Sequence, residues 1–472
     1  MERYFKYIII LSVSAFLFMS CSKDEIIPQE VEINDFVWGG MNAYYKFQGE
    51  VNDLSDSNFS TREQLNEYLA GFENPDVLFQ SLVFQPMVTD SISIITNNFN
   101  ILERRLAGEV ETTGMEFGIV DYRDGSGNVF GYVQLVYPNT SAANNGITRG
   151  MIFTQVDGTT LNVNNFRNLL LNRTGGYSIT LADDYNNGNP RITVPGPAPL
   201  IIDLTIGTLT PNPVIATNVL MEGTQKIGYL CYNEFNDQFL NELNAAFATF
   251  RSESINDLVI DLRYASNGNI ESIQTMASLI AGQLQGSIVT SEIWNNKVNT
   301  NIPSSLLQRT IVERTPTDRM LLNALNLPRV FFLTSRATAS AAEVLINGLR
   351  PLIDVITIGE TTKGVYDAST LLYDSEDYRK VNINVNHTFA LFPYVAQITN
   401  RDGLRAPIEA TQGLPEDYGN MGLLGERSDP MLDFAIDNII NGTASSLTPE
   451  LNQLGNSKED YITNEIIIID LK

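Results

Sequence analysis

Apolar residues recur with two different periods in the first half of this chain. Over residues 31–105 their spacing is helical, and residues 60–63 (Ser-Thr-Arg-Glu) have the form of a capping box ahead of Leu65. From about 115 to 205 the apolar runs are strand-like, with Asp157-Gly158 predicted as a turn. Asn, Gly and Pro residues between 187 and 197 indicate a linker or long loop. The pattern therefore predicts an N-terminal helical domain over residues 31–105 and a β-rich domain over residues 110–205.

Beyond about residue 222, strand-like and helical segments alternate. The predicted strands are 226–232, 258–262, 330–333 and 355–358, and the predicted helices are 239–250, 270–280 and 341–349. Alternation of this kind is typical of a largely parallel sheet covered by helices. We therefore expect an α/β multi-domain protein, with an α/β core over residues 222–440 and a C-terminal tail over residues 441–472.

The N-terminus has the pattern of a secretory signal. Arg3 and Lys6 precede an apolar stretch over residues 8–19, which ends at Ser20-Cys21. At about 12 residues this stretch is too short to span a bilayer. It resembles a bacterial lipoprotein signal, which implies that residues 1–21 are the signal and that Cys21 is the lipidation site. An ordinary cleaved signal is the alternative. We expect a cell-envelope protein held by a lipid anchor in the outer membrane, with a periplasmic or surface-facing orientation.

Composition narrows the remaining possibilities. Hydrophobic residues make up 43% and charged residues 18%, as in globular proteins, and no later run is apolar enough for a membrane helix. A formal net charge of −25 argues against nucleic acid as a partner. Because Cys231 is the only cysteine besides Cys21, an internal disulfide in the mature chain is not expected.

The scarcity of histidine excludes several chemistries. His387 is the only histidine, so the two-histidine zinc motif and the kinase H-R-D loop are both absent. A Ser-His-Asp triad would have to use His387, which lies in a strand-like stretch over residues 384–389, where a structural histidine is favoured over a catalytic one. Neither a metal nor a cofactor is expected. A lysine is the more plausible base for any nucleophilic serine.

Ser340 occupies a position where a predicted strand turns into a predicted helix. Free backbone N–H groups at a helix start can bind the oxyanion of a tetrahedral intermediate, and the small residues around Ser340 would let a substrate backbone approach. The same residues, Ser340-Ala341-Ala342-Glu343, also satisfy a simple capping box. From this stretch alone, capping is favoured over catalysis.

Several stretches together resemble one enzyme family. Residues 338–343, with 359–362 after them, are similar to the nucleophile region of the tail-specific, or C-terminal processing, serine peptidases. Residues 138–150 resemble the PDZ-like domain that these enzymes carry, and residues 261–264 resemble the strand before their oxyanion loop. The nearest likeness is to lipoprotein members from Bacteroides-like bacteria, and it extends over nearly all of residues 31–440. It implies a PDZ-like domain at residues 110–205 and a peptidase core of the crotonase or Clp-protease type.

The resemblance also implies roles for individual residues. Ser340 would be the nucleophile, and the N–H groups of Gly268 and Ala341 would form the oxyanion hole. The family's base is a lysine about 25 residues after the serine, which here is Val365, and an isopropyl group cannot accept a proton. Lys363 would lie on the same face as Val365 if this stretch is extended, and it is the candidate base; its alternative is a solvated surface lysine.

Two further stretches depart from the family. Residues 265–268, Ala-Ser-Asn-Gly, stand where the family has Asn-Gly-Gly-Gly, and Ser266 and Asn267 restrict the freedom of the backbone there. Residues 149–151, Arg-Gly-Met, replace a usual Arg-Gly-Asp.

These departures leave two hypotheses open. The first is an active serine endopeptidase that binds extended or C-terminal segments of polypeptides by strand addition and cleaves them with a Ser/Lys pair. The second is a catalytically impaired relative that acts as a peptide-binding or scaffold lipoprotein. The sequence identifies neither the substrate nor the oligomeric state.

Overall fold

The computed structural model describes residues 27–122, 124–171, 173–186, 189–192, 199–442, 453–459 and 465–471. Cys21 and the rest of the predicted signal lie outside these residues. The α-helices in the described part are α1 (Glu32–Tyr44), α2 (Arg62–Ala70), α3 (Pro75–Leu82), α4 (Phe99–Leu106), α5 (Ser141–Asn144), α6 (Leu240–Glu253), α7 (Ile270–Ile280), α8 (Asn296–Asn301), α9 (Ala341–Leu349) and α10 (Pro430–Asn441).

The strands form one sheet in the β-rich region, two in the core and several short pairings. In chain order they are β1 (Ile94–Thr96), β2 (Val110–Thr112), β3 (Met115–Asp121), β4 (Val129–Val136), β5 (Ile152–Val156), β6 (Thr159–Thr160), β7 (Tyr177–Leu181), β8 (Asp184–Asn186), β9 (Asn189–Arg191), β10 (Ile201–Leu204), β11 (Gly207–Leu209), β12 (Val214–Glu222), β13 (Gln225–Tyr232), β14 (Asp257–Asp261), β15 (Gly268–Asn269), β16 (Ile288–Ile293), β17 (Gln308–Thr310), β18 (Arg329–Thr334), β19 (Asp354–Gly359), β20 (Asp367–Ser369), β21 (Leu372–Tyr373), β22 (Ala390–Phe392), β23 (Tyr394–Thr399), β24 (Gln412–Gly413), β25 (Gln453–Asn456) and β26 (Ile467–Ile468).

The N-terminal region is helical, as its apolar spacing predicts. Helices α1–α3 pack around one hydrophobic cluster, which also takes in Leu391 from β22. The predicted capping box at residues 60–63 is wrong by one position, because the hydroxyl of Thr61, not that of Ser60, accepts the N–H of Gln64 at 3.3 Å. Gln64 in turn accepts the N–H of Ser60 at 2.8 Å. The cap therefore lies one residue later than the S-x-x-E spacing indicated.

The β-rich region forms a sheet in the order β10-β7-β5-β4-β3-β25, with β6 paired to β5. The predicted turn at Asp157-Gly158 is present, and both residues have positive φ, 48° and 73°. This conformation belongs to the type I′ turns that join two-residue hairpins. Strand β25 was not predicted: it comes from the C-terminal tail and pairs antiparallel with β3.

The core sheet has the order β12-β13-β14-β18-β19-β24 and is parallel from β13 to β24. Helices α6, α7 and α9 pack in one hydrophobic cluster against one face, and α10 packs against the other. The structure thus has the α/β core that the alternation of strands and helices predicts. Parallel strands all end at the same edge, so the loops after β14 and β18 lie side by side there.

A second sheet of the core, in the order β15-β26-β20-β23-β16-β17, lies on the α7 and α9 side. Its strand β26 is a further piece of the C-terminal tail, and it pairs in parallel with both β15 and β20. Ile466, Ile467 and Ile469 are buried there. The end of the described chain is thus part of the core packing.

Candidate active site

The turn between β18 and α9 carries Ser340 and is fixed to the loop after β14. The hydroxyl of Thr338 donates to the carbonyl of Leu262 at 2.8 Å, and the N–H of Ala339 donates to the carbonyl of Ala265 at 3.1 Å. Leu262 precedes the loop predicted to form the oxyanion hole, and Ala265 is the first residue of that loop, so the two segments are held in contact. The structure therefore brings together the nucleophile turn and the loop that the sequence assigned to one site.

Ser340 has a backbone conformation that few serines adopt. Its φ is 51° and its ψ is −114°, whereas an ordinary N-cap residue has extended φ and ψ. Strained conformations of non-glycine residues persist only where the surroundings enforce them, and they cluster at functional sites. A strained strand-to-helix turn is also the feature that presents the nucleophile in α/β-hydrolases.

The Ser340 side chain is fully buried, and its hydroxyl oxygen makes no hydrogen bond to any described residue. Ser340 and Glu343 are juxtaposed as in a capping box, but only one of its two bonds has hydrogen-bond geometry: the Ser340 N–H donates to Glu343 at 3.0 Å. The capping interpretation thus accounts for the carboxylate of Glu343 and leaves the hydroxyl of Ser340 without a structural role.

Glu343 is a residue whose importance the sequence analysis missed. Its buried carboxylate accepts the N–H groups of Ser340, of Gly364 at 2.6 Å and of Val365 at 2.8 Å, together with the hydroxyl of Thr362. Burial raises the pKa of Glu343, against the lowering effect of these hydrogen bonds. One carboxylate therefore joins the nucleophile turn to the segment that carries the candidate base. The S-x-x-E spacing was the only signal for it.

Lys363 lies beside the nucleophile turn, but its ammonium group is held elsewhere. Its backbone N–H donates to the carbonyl of Thr338 at 3.2 Å, and its Nζ forms an ion pair with Glu465 of the C-terminal tail. The Lys363 side chain is 41% exposed. The condition for Lys363 and Val365 to share a face is not met, because Gly364 between them has a φ of 88° and the stretch is not extended.

The two proposed oxyanion donors differ in this structure. The N–H of Ala341, at the first position of α9, has no hydrogen-bond partner in the described part of the chain. The N–H of Gly268 donates to the carbonyl of Ile466 at 3.2 Å. A Cβ at Gly268, whose φ is 149°, would lie 2.5 Å from the carbonyl oxygen of Phe235, so close packing alone requires glycine there. Of these two donors, Ala341 is the one whose N–H is free in the described part of the chain.

A buried ionic network supports the oxyanion loop from behind. Arg263 pairs with Asp261 at 2.6 Å, with Asp429 at 2.5 Å and with Glu416 at 2.8 Å. Burial acts to raise the pKa of Asp261, but the Arg263 guanidinium holds it below its usual value. Arg149, from the β-rich region, also pairs with Glu416, at 2.8 Å. Arg149 therefore ties the β-rich region to the core directly behind the loop.

Part of the C-terminal tail covers the site. The Nζ of Lys458 donates to the carbonyl of Tyr264 at 3.2 Å. A cavity of about 10 Å³, lined among others by Ser266, Ala337, Lys458 and Glu465, lies between tail, loop and turn. Such a volume holds no more than one water molecule. The tail thus lies directly against the loop and the turn.

His387 is separate from this constellation. Its Nε2 lies 2.8 Å from Asp374, its Nδ1 accepts the N–H of Phe389, and its ring packs near Phe36 of the helical region. The strand prediction for residues 384–389 is wrong, because β22 begins only at Ala390. The sequence favours a structural histidine at this position, and the described contacts of His387 are with neighbouring residues of the fold and not with Ser340.

Among the described residues, no group of three or more His, Cys, Asp or Glu side chains could hold a metal ion. No helix in the described ranges has the length and apolarity needed to cross a membrane.

Comparison with known proteins shows what the core is similar to. Residues 226–388 match the model of peptidase family S41. The structure of a protein from Bacteroides fragilis assigned as an S41 protease is similar, with a TM-score of 0.61 and 20% identity, over 87% of this chain and 98% of that one. A photosystem II D1 C-terminal processing protease gives a TM-score of 0.47 and 18% identity, over 82% of this chain and 94% of that one. No curated protein matches the chain in sequence.

The family match confirms the resemblance drawn from the nucleophile region, and the family is one of serine-type peptidases, which are hydrolases. The similarity to the Bacteroides structure shows the same mixed α/β fold over most of the chain.

Proposed function

We propose that this S41-type chain is a serine endopeptidase of the tail-specific kind, acting on extended or C-terminally exposed polypeptides, with Ser340 as its nucleophile. The observation that carries the proposal is the pairing of a strained, unpartnered Ser340 with the free N–H of Ala341 at the start of α9. A hydroxyl without a structural hydrogen bond is available for chemistry, and the adjacent N–H is aimed from a helix N-terminus, where negative charge is stabilised.

In the proposed reaction the Ser340 oxygen adds to the carbonyl carbon of the scissile peptide bond. Its proton passes to the base and then to the leaving amine, which departs as the peptide C–N bond breaks and an acyl-serine forms. Water then hydrolyses the ester and restores the serine. Ala341 donates to the oxyanion of each tetrahedral intermediate, and Gly268 joins it only if its N–H leaves the carbonyl of Ile466.

Lys363 is the proposed base because its backbone is bonded to the nucleophile turn and Val365 cannot accept a proton. An ammonium in an ion pair cannot act as a base, so Lys363 must leave Glu465 and lose a proton before it can act. The β-rich region, as a PDZ-like domain, would hold the substrate by strand addition.

A second candidate function is peptide binding without cleavage. It is favoured by the valine at position 365, by the ion pair that holds Lys363 and by the hydrogen bond that occupies Gly268. Both candidates use the same surfaces for extended polypeptides, and they differ only in whether Ser340 reacts.

Reaction of Ser340 with a fluorophosphonate probe distinguishes the two candidates. We expect an adduct on the tryptic peptide that contains Ser340, detected by mass spectrometry of the fragment 31–472. The variant Ser340→Ala should carry no adduct, whereas Ser305→Ala, which removes an exposed hydroxyl, should react like the wild type. Absence of any adduct on the wild type would favour the binding protein, and an equal adduct on Ser340→Ala would place the reactive group elsewhere.

Cys21 lies outside the described part of the chain, so we propose its lipidation from the signal pattern alone. If Cys21 is the anchor, the wild type should fractionate with envelope membranes, while Cys21→Ala should be released or remain unprocessed. The measurement is immunoblotting of membrane and soluble fractions, with Cys231→Ala as the matched control. Equal membrane association of the wild type and Cys21→Ala would contradict the proposal.

A further inference from the structure

The β3 strand has one edge that is covered only by the tail of this chain. In the sheet order β10-β7-β5-β4-β3-β25, removal of β25 leaves β3 as an edge strand. The register pairs Gln453 with Val120, Gly455 with Ile119 and Asn456 with Gly118, in the antiparallel sense. An edge strand with free N–H and C=O groups is the surface on which an extended peptide adds as a further strand.

The contacts around β25 are those of a peptide in a groove. Leu454 packs against the hydrophobic cluster of the β-rich region, and a Cβ at Gly455 would lie 3.3 Å from the ring of Phe166. The N–H of Ser457 donates to the carbonyl of Phe117 at 2.9 Å, and the hydroxyl of Ser457 accepts the N–H of Phe117 at 3.1 Å. The β25 strand thus has backbone pairing with β3 on one side and an apolar contact with Phe166 on the other.

Charged groups anchor the segment after β25. Glu459 forms an ion pair with Arg167 at 2.8 Å, at the side of the same groove. Lys458 is 9% exposed, and its Nζ lies 3.4 Å from Glu116 of β3 and 3.2 Å from the carbonyl of Tyr264. The segment thus runs from the groove towards the oxyanion loop, which is the direction that a substrate must take to reach Ser340.

We propose that residues 453–459, here called the tail segment, are an intramolecular ligand that occupies the substrate-binding edge of β3. Extended polypeptides therefore compete with the tail segment for this edge, and the arrangement described here is the unoccupied, self-blocked form of the protein. This inference rests on the proposed function for the identity of the competing peptide. The β26 strand, with its buried isoleucines, remains in the core when the tail segment leaves.

A tethered segment competes at an effective concentration of about millimolar, so it masks the groove against free peptides. The probe is a fluorescent peptide with the sequence of residues 453–459, Gln-Leu-Gly-Asn-Ser-Lys-Glu. Its binding to the full chain is measured by fluorescence anisotropy.

Two variants weaken the hold of the tail segment on β3. Leu454→Asp introduces a charge into the apolar contact of the tail segment, and Ser457→Pro removes both hydrogen bonds to Phe117 without changing the core. Ile201→Asp is the matched control, because Ile201 is exposed on β10, at the opposite edge of the same sheet.

We expect Leu454→Asp and Ser457→Pro each to bind the peptide at least about 10-fold more tightly than the wild type and Ile201→Asp do. Equal affinity in all four proteins, or no binding to either tail variant, would overturn the inference. We also expect the backbone amides of β3 to exchange hydrogen faster in the two tail variants than in the wild type. Faster exchange in folded protein would show that the edge of β3 has been opened.

The same variants separate this inference from the proposed function. If peptide binding increases and fluorophosphonate reacts faster with Ser340, both stand. If peptide binding increases while Ser340 stays unreactive, the tail segment is an intramolecular ligand of a protein that only binds peptides.

Discussion

Lys363→Ala is expected to lower the rate of cleavage of an unfolded protein by about 10²–10⁴-fold, the usual contribution of general-base assistance. A neutral serine hydroxyl is a poor nucleophile, and Val365 stands where the family resemblance implies a lysine base. Lys363 is the lysine whose own backbone is bonded to the nucleophile turn, through the carbonyl of Thr338. The measurement is the rate of casein degradation by variants whose melting curves match that of the wild type.

Lys380→Ala is the matched control for this prediction. Like Lys363, Lys380 is partly exposed and forms an ion pair, in this case with Glu103 of α4. It lies away from the Ser340 turn, over the rings of Phe99 and Tyr373. Its replacement should leave the rate unchanged. If Lys363→Ala degrades casein as fast as Lys380→Ala, Lys363 is not the base.

Val365→Lys tests the same assignment from the other side. If Lys363 has taken over the role of base, a lysine at position 365 should change the rate little or interfere, because Val365 is next to the carboxylate of Glu343. If Val365→Lys instead raises activity strongly from a low level, the site had lost its base and Lys363 did not replace it.

Much of the core was predictable from the chain, because its elements depend on local patterns. The predicted strands at 226–232, 258–262, 330–333 and 355–358 agree with β13, β14, β18 and β19 to within one residue. The predicted helix at 341–349 has the bounds of α9. Continuous apolar runs and helical spacing determine these elements, since each buries a face of its own against the sheet.

The tail segment was not predictable for the opposite reason. Its strand β25, Gln-Leu-Gly-Asn, has neither strand alternation nor high β-propensity, and it forms only because β3, more than 300 residues earlier in the chain, offers an open edge. No local pattern carries information about a partner at that separation.

At the site itself, the structure has two backbone conformations that the sequence does not indicate, at Ser340 and at Gly364. The strained φ of Ser340 is invisible in the sequence, because serine normally avoids positive φ and no glycine signals it. Gly364 is the reverse case: Lys363 and Val365 would share a face only in an extended stretch, and the φ of 88° at Gly364 separates their faces. The family resemblance thus names candidate residues for the site, while their geometry could not be predicted from the sequence.

The most direct measurement of the central claim is the rate of casein degradation by the wild type and by Ser340→Ala, each also in the Ser457→Pro background. Because the Ser340 hydroxyl has no hydrogen bond to lose, Ser340→Ala should fold and melt as the wild type does. We expect casein degradation by Ser340→Ala to fall, in both backgrounds, to the rate measured when the peptidase is left out. Ser305→Ala should remain as active as the wild type. Activity that persists undiminished in Ser340→Ala, or an equal lack of activity in all of these proteins, would contradict the assignment of Ser340 as a peptidase nucleophile.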